Sequence, residues 1–339
     1  MKTIDLRSDT FTKPTPAMLK AMMNAEVGDD VFGEDPSINK LENKAAEMFG
    51  MEAAIFCPSG TMTNQIGINV HTQPGDEVIC HPYSHIYVYE GGGMAFNSGC
   101  QPKFVEGKRG LMNAKDIAQA ISADDVHAAR TGLISLENTM NKGGGACYDL
   151  PEIVAIRKLA DKHNIPMHLD GARLFNALVA KNQSPEEFGP LFDSISICLS
   201  KGLGCPVGSL LLGSEKFIRE ARRVRKKLGG GMRQAGYLAA AGIYALDHHI
   251  QRLTEDHEKA LMLTDALEHC PWVKQVEPVE TNIVIFYLED HRDQDEFIDH
   301  LRRQGVLLIK MGEGKMRFVT HLDVSAEEIE QVGAVLRTM

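Results

Sequence analysis

The sequence lacks an apolar run long enough to cross a bilayer, and it has no excess of positive charge. Its longest uncharged, largely apolar run covers residues 234–246, well short of the roughly 20 residues that a membrane-spanning helix needs. The net charge of -10 argues against a general nucleic-acid surface, with residues 219–227 as the one basic exception. Neither a membrane nor a nucleic acid is expected as a partner.

Cysteine pairs with metal-binding spacing are also missing. The seven cysteines include no CxxC pair, and their odd number favours reduced thiols in a cytoplasm. His81 and His85 have i, i+4 spacing, but Pro82 argues against a regular helix, and no nearby cysteine or acidic pair completes a tetrahedral set. The sequence predicts no metal centre. The first ten residues carry charges where a signal peptide needs an apolar core, so a cytoplasmic location is predicted.

Neither GxGxxG nor GxxxxGK[ST] is present, so Rossmann dinucleotide binding and a P-loop both lack their fingerprints. Instead, strand and helix patterns alternate over some 150 residues from residue 76 onwards. This alternation predicts an α/β fold with a mostly parallel sheet flanked by helices. The predicted strands of this region cover 77–81, 86–90, 103–105, 132–137, 166–169 and 195–199.

A long helix predicted over 253–269 leads out of this sheet. The strand and helix patterns that follow it are typical of a compact α+β unit. We therefore expect an N-terminal arm plus a large domain over 1–252, and a smaller C-terminal α+β domain over 253–339.

Three predicted strand ends carry residues that suit one cofactor. Lys201 follows the strand 195–199, Asp170 follows 167–169, and the turn 58–61 joins the strand 53–57 to a helix. Ligands bind beyond the carboxyl ends of such strands, so we expect these residues to meet. A lysine that forms an imine, an acid for a pyridine nitrogen and a helix N-terminus for a phosphate are what pyridoxal phosphate requires.

Each of these residues alone also has a plainer interpretation. Lys201 could extend from a strand end into solvent, Asp170 could pair with Arg173, and any capped helix after a strand resembles the turn 58–61. Because residues at three strand ends all suit the same cofactor, the cofactor-binding interpretation is favoured over these plainer ones. Arg233, beyond a run of glycines, could reach a phosphate in a partner subunit or lie in solvent. Arg317, inside a predicted strand, could clamp a carboxylate or point outwards.

Eight segments, taken in order over essentially the whole chain, resemble the low-specificity L-threonine aldolases. These are pyridoxal-phosphate enzymes of the aspartate-aminotransferase fold type, PLP-dependent transferase-like fold type I. So many ordered matches are far more specific than any single motif. The segments are LRSDT (6–10), VGDDVFGEDP (27–36), PSGTMTNQ (58–65), SHIYVYE (84–90), LDGARLFNA (169–177), CLSKGLGCPVGS (198–209), LGGGMRQAG (228–236) and VTHLDVS (319–325).

The resemblance implies a role for each matching residue. Lys201 would hold the cofactor as an imine, Asp170 would pair with its pyridine nitrogen, and His85 would stack on its ring. The remaining cofactor-binding residues would be Gly60, Thr61, Arg173 and, from a neighbouring subunit, Lys226 and Arg233. The substrate carboxylate would lie on Ser8, Arg173 and Arg317, with His127 near the substrate side chain.

The resemblance also implies an activity and an assembly. The enzyme would cleave L-threonine and L-allo-threonine to glycine and acetaldehyde, in threonine catabolism and glycine biosynthesis, as a homotetramer with sites at dimer interfaces. His85 would act as the base or would only orient the ring. Met140 stands where the family often has histidine, which bears on side-chain selectivity. The alternatives are a β-eliminating lyase or transaminase-like enzyme, and a cofactor-free α/β binding protein.

Overall fold

The computed structural model describes residues 3–339, which form thirteen α-helices and thirteen strands. None of these helices is both long and apolar enough to cross a bilayer. The strands are β1 Ile4–Asp5, β2 Ala53–Cys57, β3 Glu77–Cys80, β4 Gln101–Phe104, β5 Thr131–Glu137, β6 Met167–Gly171, β7 Ser194–Cys198, β8 Ser209–Gly213, β9 Val273–Val276, β10 Ile283–Leu288, β11 Val306–Leu307, β12 Ile309–Gly312 and β13 Lys315–Val319.

Helices cover both faces of the main sheet and one face of the smaller one. They are α1 Pro16–Met23, α2 Pro36–Phe49, α3 Gly60–His71, α4 His85–Val88, α5 Gly93–Ser98, α6 Ala114–Ala120, α7 Leu150–His163, α8 Leu174–Lys181, α9 Glu215–Lys227, α10 Gly236–His248, α11 Leu253–Glu268, α12 Gln294–Arg303 and α13 Ala326–Arg337.

The main sheet has seven strands in the order β2-β8-β7-β6-β5-β3-β4. Among its strands only β8 runs against its neighbours, β7 and β2. The predicted α/β fold with a mostly parallel sheet is therefore confirmed. The central strands are buried along their whole length, as expected when helices cover both faces of a parallel sheet.

The strand register determines which residues can form a site. Glu137 at the end of β5 is paired with Asp170 near the end of β6, and Asp170 is paired with Ser196 on β7. The carboxyl ends of these strands therefore share one edge of the sheet. The turn that holds Lys201 follows β7 at that edge.

The C-terminal part of the chain builds a second, antiparallel sheet in the order β12-β13-β10-β9. Its apolar cluster draws on α11, α12 and α13, and it also includes Ile4 and Leu6 from the N-terminal arm. The arm reaches this cluster because β1 pairs in parallel with β11. The division of the chain at residue 252 stays a prediction.

One predicted strand, 86–90, is wrong, because this segment lies in and just after helix α4. Its aromatic and β-branched residues favour a strand, but β3 is already paired on both sides, by β4 and β5. No sheet position is left beside β3, and the backbone N–H groups of Tyr87 and Val88 bond to the carbonyl of Ser84 instead. Packing overrides local propensity here.

The start of α2 is capped by Asp35. The helix begins at Pro36, and the carboxylate of Asp35 accepts a hydrogen bond from the backbone N–H of Ile38. Proline suits the first helical position because the N–H that it lacks would have no partner there.

Candidate active site

Lys201 lies in the turn that follows β7. Its carbonyl accepts hydrogen bonds from the N–H of Gly204 at 2.8 Å and from the hydroxyl of Thr12 at 3.0 Å, which fix the turn. Its side chain is half-buried, and its positive charge helps to lower the pKa of Asp9. The lysine therefore stands at the edge of the sheet where the strand register places Asp170.

Asp170 is buried at the end of β6. One carboxylate oxygen accepts a hydrogen bond from Nδ2 of Asn64 at 2.8 Å, and the other accepts one from the N–H of Ala172 at 3.2 Å. Glu137, its partner across the sheet, lies beside it; burial and the charge of Asp170 raise the pKa of Glu137. Both carboxylates thus share a pocket that disfavours two full negative charges.

His85 is the first residue of α4, and Nδ1 of its ring lies 2.8 Å from Oε1 of Glu90. One side-chain atom each of His85, Glu90 and Asp170 lies within 4.8 Å of the others. Burial lowers the pKa of His85, but the hydrogen bond to Glu90 and the charges of Asp170, Glu90 and Glu137 outweigh burial and raise it above its ordinary value. The imidazole is therefore part of the same cluster as Asp170.

The helix α3 begins against the end of β7. Its cap is Ser59, whose hydroxyl accepts a hydrogen bond from the N–H of Met62 at 3.2 Å. The N–H groups of Gly60 and Thr61 lie in the first turn, where backbone donors have no partner within the helix. A Cβ on Gly60 would lie 2.5 Å from Sγ of Cys198, so only glycine fits. This contact brings two free amides to the edge that carries Lys201, as an anion site requires.

Arg173 is buried, and its partner is Asp9, not Asp170. Its Nε and Nη2 donate to the two carboxylate oxygens of Asp9 at 2.8 and 2.7 Å, and Asn282 donates to the same carboxylate at 3.1 Å. Burial raises the pKa of Asp9, but Arg173, Lys201 and Asn282 together hold it well below its usual range. One edge of the Arg173 fork is therefore already occupied by a carboxylate of the chain.

Arg317 on β13 is equally buried, but its contacts are neutral. Nη1 donates to Oδ1 of Asn141 at 2.9 Å, Nη2 donates to the carbonyl of Arg7 at 3.1 Å, and Nε has no partner. Within residues 3–339 no carboxylate lies within 4 Å of this guanidinium. Burial and the charge of Arg173 lower the pKa of Arg317 to about 10. Such a group is ready to bind an anion.

Ser8 is buried, and it caps the short turn that contains Asp9, the partner of Arg173. Its hydroxyl accepts hydrogen bonds from the N–H and the hydroxyl of Thr10, at 3.2 and 3.0 Å. The Ser8 hydroxyl donates to Oδ1 of Asp9 with an oxygen–oxygen distance of 3.4 Å, which is long for a hydrogen bond. Ser8 thus belongs to the same part of the molecule as Arg173.

Three predicted site residues are exposed and do not join this cluster within one chain. Lys226 borders a surface cavity of about 680 Å³ that Arg225 and Phe32 also line. Arg233 has a side chain 53% exposed, and it pairs with Asp29 at 2.8 Å. The side chain of His127 is 90% exposed, and its ring lies 2.8 Å from the carboxylate of Asp125.

Several polar residues of the cluster were not predicted, although three of them, Asp9, Asn64 and Glu90, lie inside matching segments. Glu137 ends β5, so its position at the end of a predicted strand could have indicated that it belongs to the site. The others depend on contacts that sequence spacing does not reveal. These residues are Asp9, Asn64, Glu90, Glu137 and Asn141. Met140 is buried, and its side chain packs where Cβ atoms on Gly110 and Gly143 would lie.

Comparison with known proteins identifies the class. The pattern of the beta-eliminating lyase family matches residues 5–291, so the chain belongs to that family. A probable low-specificity L-threonine aldolase 2 of Arabidopsis thaliana is 44% identical over 98% of this chain and 96% of its own length. The low specificity L-threonine aldolase of Escherichia coli K12 is 43% identical over 98% of this chain and 97% of its own length. Within the wider family, the chain is a member of the low-specificity L-threonine aldolases.

The fold has solved relatives. The structure of Leishmania major threonine aldolase superimposes with a TM-score of 0.86 and 22% identity, and the match covers 98% of each chain. At that level of identity the likeness concerns the fold alone. It agrees with the mostly parallel sheet and the small antiparallel sheet described above.

Proposed function

We propose that this protein is a pyridoxal-phosphate-dependent aldolase that cleaves L-threonine and L-allo-threonine to glycine and acetaldehyde. The observation that carries the proposal is the convergence of Lys201, Asp170 and the start of α3 at one sheet edge. This convergence occurs in a chain whose full-length relatives carry the name low-specificity L-threonine aldolase.

The residues at this edge fit the cofactor. Lys201 would hold it covalently, and Asp170, fixed by two donors, would hold a proton on the pyridine nitrogen. The first-turn amides of Gly60 and Thr61 would bind the phosphate, and the missing side chain at Gly60 leaves room for close approach. When bound, the cofactor supplies an electron sink for the charge that develops at Cα.

The substrate carboxylate would lie on Arg317. Its guanidinium is buried, it has no carboxylate partner within 4 Å in residues 3–339, and its Nε is unpaired. A planar fork binds a carboxylate through two parallel hydrogen bonds and so sets its orientation. Ser8 and the free edge of Arg173 would complete the carboxylate site. This anchoring would set which Cα bond is cleaved.

His85 would accept the proton of the substrate hydroxyl. Nδ1 of the ring contacts Glu90, so Nε2 is the nitrogen left for the substrate. The raised pKa makes the neutral imidazole a stronger proton acceptor. A ring that only stacks on the cofactor is the alternative role, and it would leave the rate insensitive to the histidine's charge.

The protein would act as a cytoplasmic homotetramer, a dimer of dimers, in threonine catabolism and glycine biosynthesis. The exposure of Lys226 and Arg233 supports an assembly in which these side chains serve a neighbouring site. Mixing inactive Lys201→Ala subunits with inactive Arg233→Glu subunits would then restore part of the activity. If the mixture stays inactive although the subunits exchange, Arg233 does not act across an interface.

Absorption spectra and product analysis test the activity itself. Protein supplied with pyridoxal phosphate should show a visible band, and borohydride should fix the cofactor on the peptide that contains Lys201. Lys201→Ala should fold but lose the trapped cofactor and nearly all turnover. L-threonine should give glycine and acetaldehyde. The family also contains β-eliminating lyases, which would give 2-oxobutanoate and ammonia from threonine; those products would overturn the proposal.

A further inference from the structure

Asn64 contacts two acidic residues of the cluster, Asp170 and Glu90, through its side-chain NH₂ group. Its Nδ2 donates one N–H to Asp170 at 2.8 Å and the other to Glu90 at 2.9 Å. Asn64 lies on the buried face of α3, and both carboxylates are buried as well. We propose that Asn64 is the positioning residue that holds Asp170 and Glu90 in place and, through Glu90, orients the ring of His85. This inference rests on the proposed function.

The orientation of the Asn64 amide follows from its other contact. Carboxylates only accept, so Nδ2 must face Asp170 and Glu90, and Oδ1 must face Nε2 of His168 at 3.1 Å. That oxygen can only accept, so Nε2 of His168 must carry the proton. Burial and the charge of His71 lower the pKa of His168 to about 3, which keeps this ring neutral.

The same reasoning fixes the contacts beyond His168. A neutral ring with its proton on Nε2 must accept at Nδ1, so the hydroxyl of Ser194, 2.8 Å away, donates to it. The Ser194 oxygen then accepts from Nε2 of His71, also at 2.8 Å. Every donor in this buried row points towards Asp170 and Glu90, and reversing any member would place two acceptors or two donors face to face.

Glu90 in turn fixes the orientation of the His85 ring, because it contacts both Asn64 and His85. Its Oε1 accepts from Asn64 and His85, and its Oε2 accepts from Nε2 of Gln65 at 2.6 Å. Gln65 cannot turn over freely, because its own oxygen accepts from Asn97 at 3.0 Å. Because the carboxylate of Glu90 can only accept, Nδ1 of His85 carries a proton, and Nε2 is the nitrogen that exchanges protons at the site.

The groups that face His85 come from several elements. Glu90 follows α4, Asp170 lies near the end of β6, Glu137 ends β5, and the ring of Tyr89 lies 5.5 Å away at a tilt of 44°. All three acids favour the charged imidazole. Asn64 neutralises none of them, but its Nδ2 lies between Glu90 and Asp170 and donates a hydrogen bond to each.

The first experiment measures ring tautomers in the wild-type chain. Two-bond nitrogen–proton spectra of ¹⁵N-histidine-labelled protein, with and without pyridoxal phosphate, report which nitrogen is protonated; His85→Gln and His168→Gln variants assign the signals. We expect the proton of His168 on Nε2, and that of neutral His85 on Nδ1. The opposite tautomer of either ring would overturn the inference. Because the cofactor-free sample gives the answer without turnover, a failure of the proposed function is distinguished from a failure here.

The second experiment replaces the amide by an acid of the same shape. Asn64→Asp puts a third carboxylate between Asp170 and Glu90, so the titration of His85 should move to higher pH. Loss of hydrogen bonds to charged groups should lower kcat on the order of tenfold to a hundredfold, with KM changed less than threefold. Asn69→Asp is the matched control on the same helix, since Asn69 bonds to Asn97 and Ser98 and touches neither acid.

A purely structural role for Asn64 would lower stability without moving the titration of His85. If Asn64→Asp shows the same His85 titration and the same kcat as the Asn69→Asp control, Asn64 is not a positioning residue. If Asn64→Asp does not fold, the wild-type tautomers alone decide, since they require no substitution.

Discussion

Arg173 and Arg317 are two arginines with the same burial and opposite surroundings. Each is 6% exposed. Arg173 is bonded through two nitrogens to the carboxylate of Asp9, whereas Arg317 contacts two neutral oxygens and leaves Nε unpaired. Burial lowers the pKa of Arg173, but the charge and hydrogen bonds of Asp9 outweigh burial, so this pKa is raised. Burial also lowers the pKa of Arg317, and no neighbouring charge outweighs burial there.

The difference separates a structural arginine from a binding arginine. A buried charge without a partner costs free energy, so a chain retains one where a ligand supplies the opposite charge. From sequence alone both arginines were expected on the substrate carboxylate. The structure gives Arg173 a resident carboxylate and leaves Arg317 as the stronger candidate.

The largest expected effect comes from making the same substitution at both positions. Arg173→Met leaves Asp9 buried without its main partner and should lower the free energy of unfolding by about 3–5 kcal/mol. Arg317→Met leaves no carboxylate without its partner, so the free energy of unfolding of the cofactor-free protein should fall by less than about 1 kcal/mol. Urea unfolding of both variants measures this. Equal losses would show that Arg317 is also a structural residue.

Replacing Arg317 by lysine should weaken substrate binding and leave cofactor binding unchanged. Lysine keeps the charge but not the two parallel donors. Loss of a charged hydrogen-bonded pair costs about 1.5–3 kcal/mol, so KM for L-threonine should rise on the order of tenfold to a hundredfold. The rate should fall too, because the anchored carboxylate orients the bond that breaks. Steady-state kinetics check both, and an unchanged KM would place the carboxylate elsewhere.

The pH dependence should separate KM from kcat. A guanidinium stays charged between pH 6 and 8, so KM should vary little over that range. The pKa of His85 is raised, so its neutral form is lost as pH falls through a value above about 6.5, and kcat should fall on the acid side of that value. A kcat that is flat from pH 8 to 6 would assign His85 a stacking role only.

The smallest effect is expected from Asn141, which holds Nη1 of Arg317 through a neutral hydrogen bond. Asn141→Ala removes a contact worth about 0.5–1.5 kcal/mol, so KM should rise severalfold at most. Asn113→Ala, a helix-cap asparagine bonded to Asp116, is a control of the same residue type. An effect of Asn141→Ala as large as that of Arg317→Lys would contradict the role given to the guanidinium.

Sequence patterns predicted the parts of this molecule that depend on local order. The predicted strands 77–81 and 132–137 match β3, Glu77–Cys80, and β5, Thr131–Glu137, to within one residue. Lys201 and Asp170 lie at neighbouring strand ends because parallel strands end at one edge. Their roles in catalysis, and those of the other candidate residues, stay predictions.

The remaining contacts join residues that are far apart in the chain. Asp9 and Arg173 are 164 positions apart, and Asn64 and Asp170 are 106 apart. No spacing rule links such pairs, because the partner of a buried charge is chosen by packing. The error at 86–90 has the same cause: strand propensity was present, but β3, the strand that precedes this segment, is paired on both sides.

The most direct test of the carboxylate site pairs a change in the ligand with a change in the protein. Calorimetric titration would compare glycine with glycinamide, which lacks the negative charge, on protein supplied with pyridoxal phosphate. Wild type should bind glycine at least about tenfold more tightly than glycinamide, and Arg317→Met should lose most of that preference. If Arg317→Met keeps the wild-type preference, the carboxylate is held by Arg173 or Ser8, and the contrast between the two arginines does not reflect substrate binding.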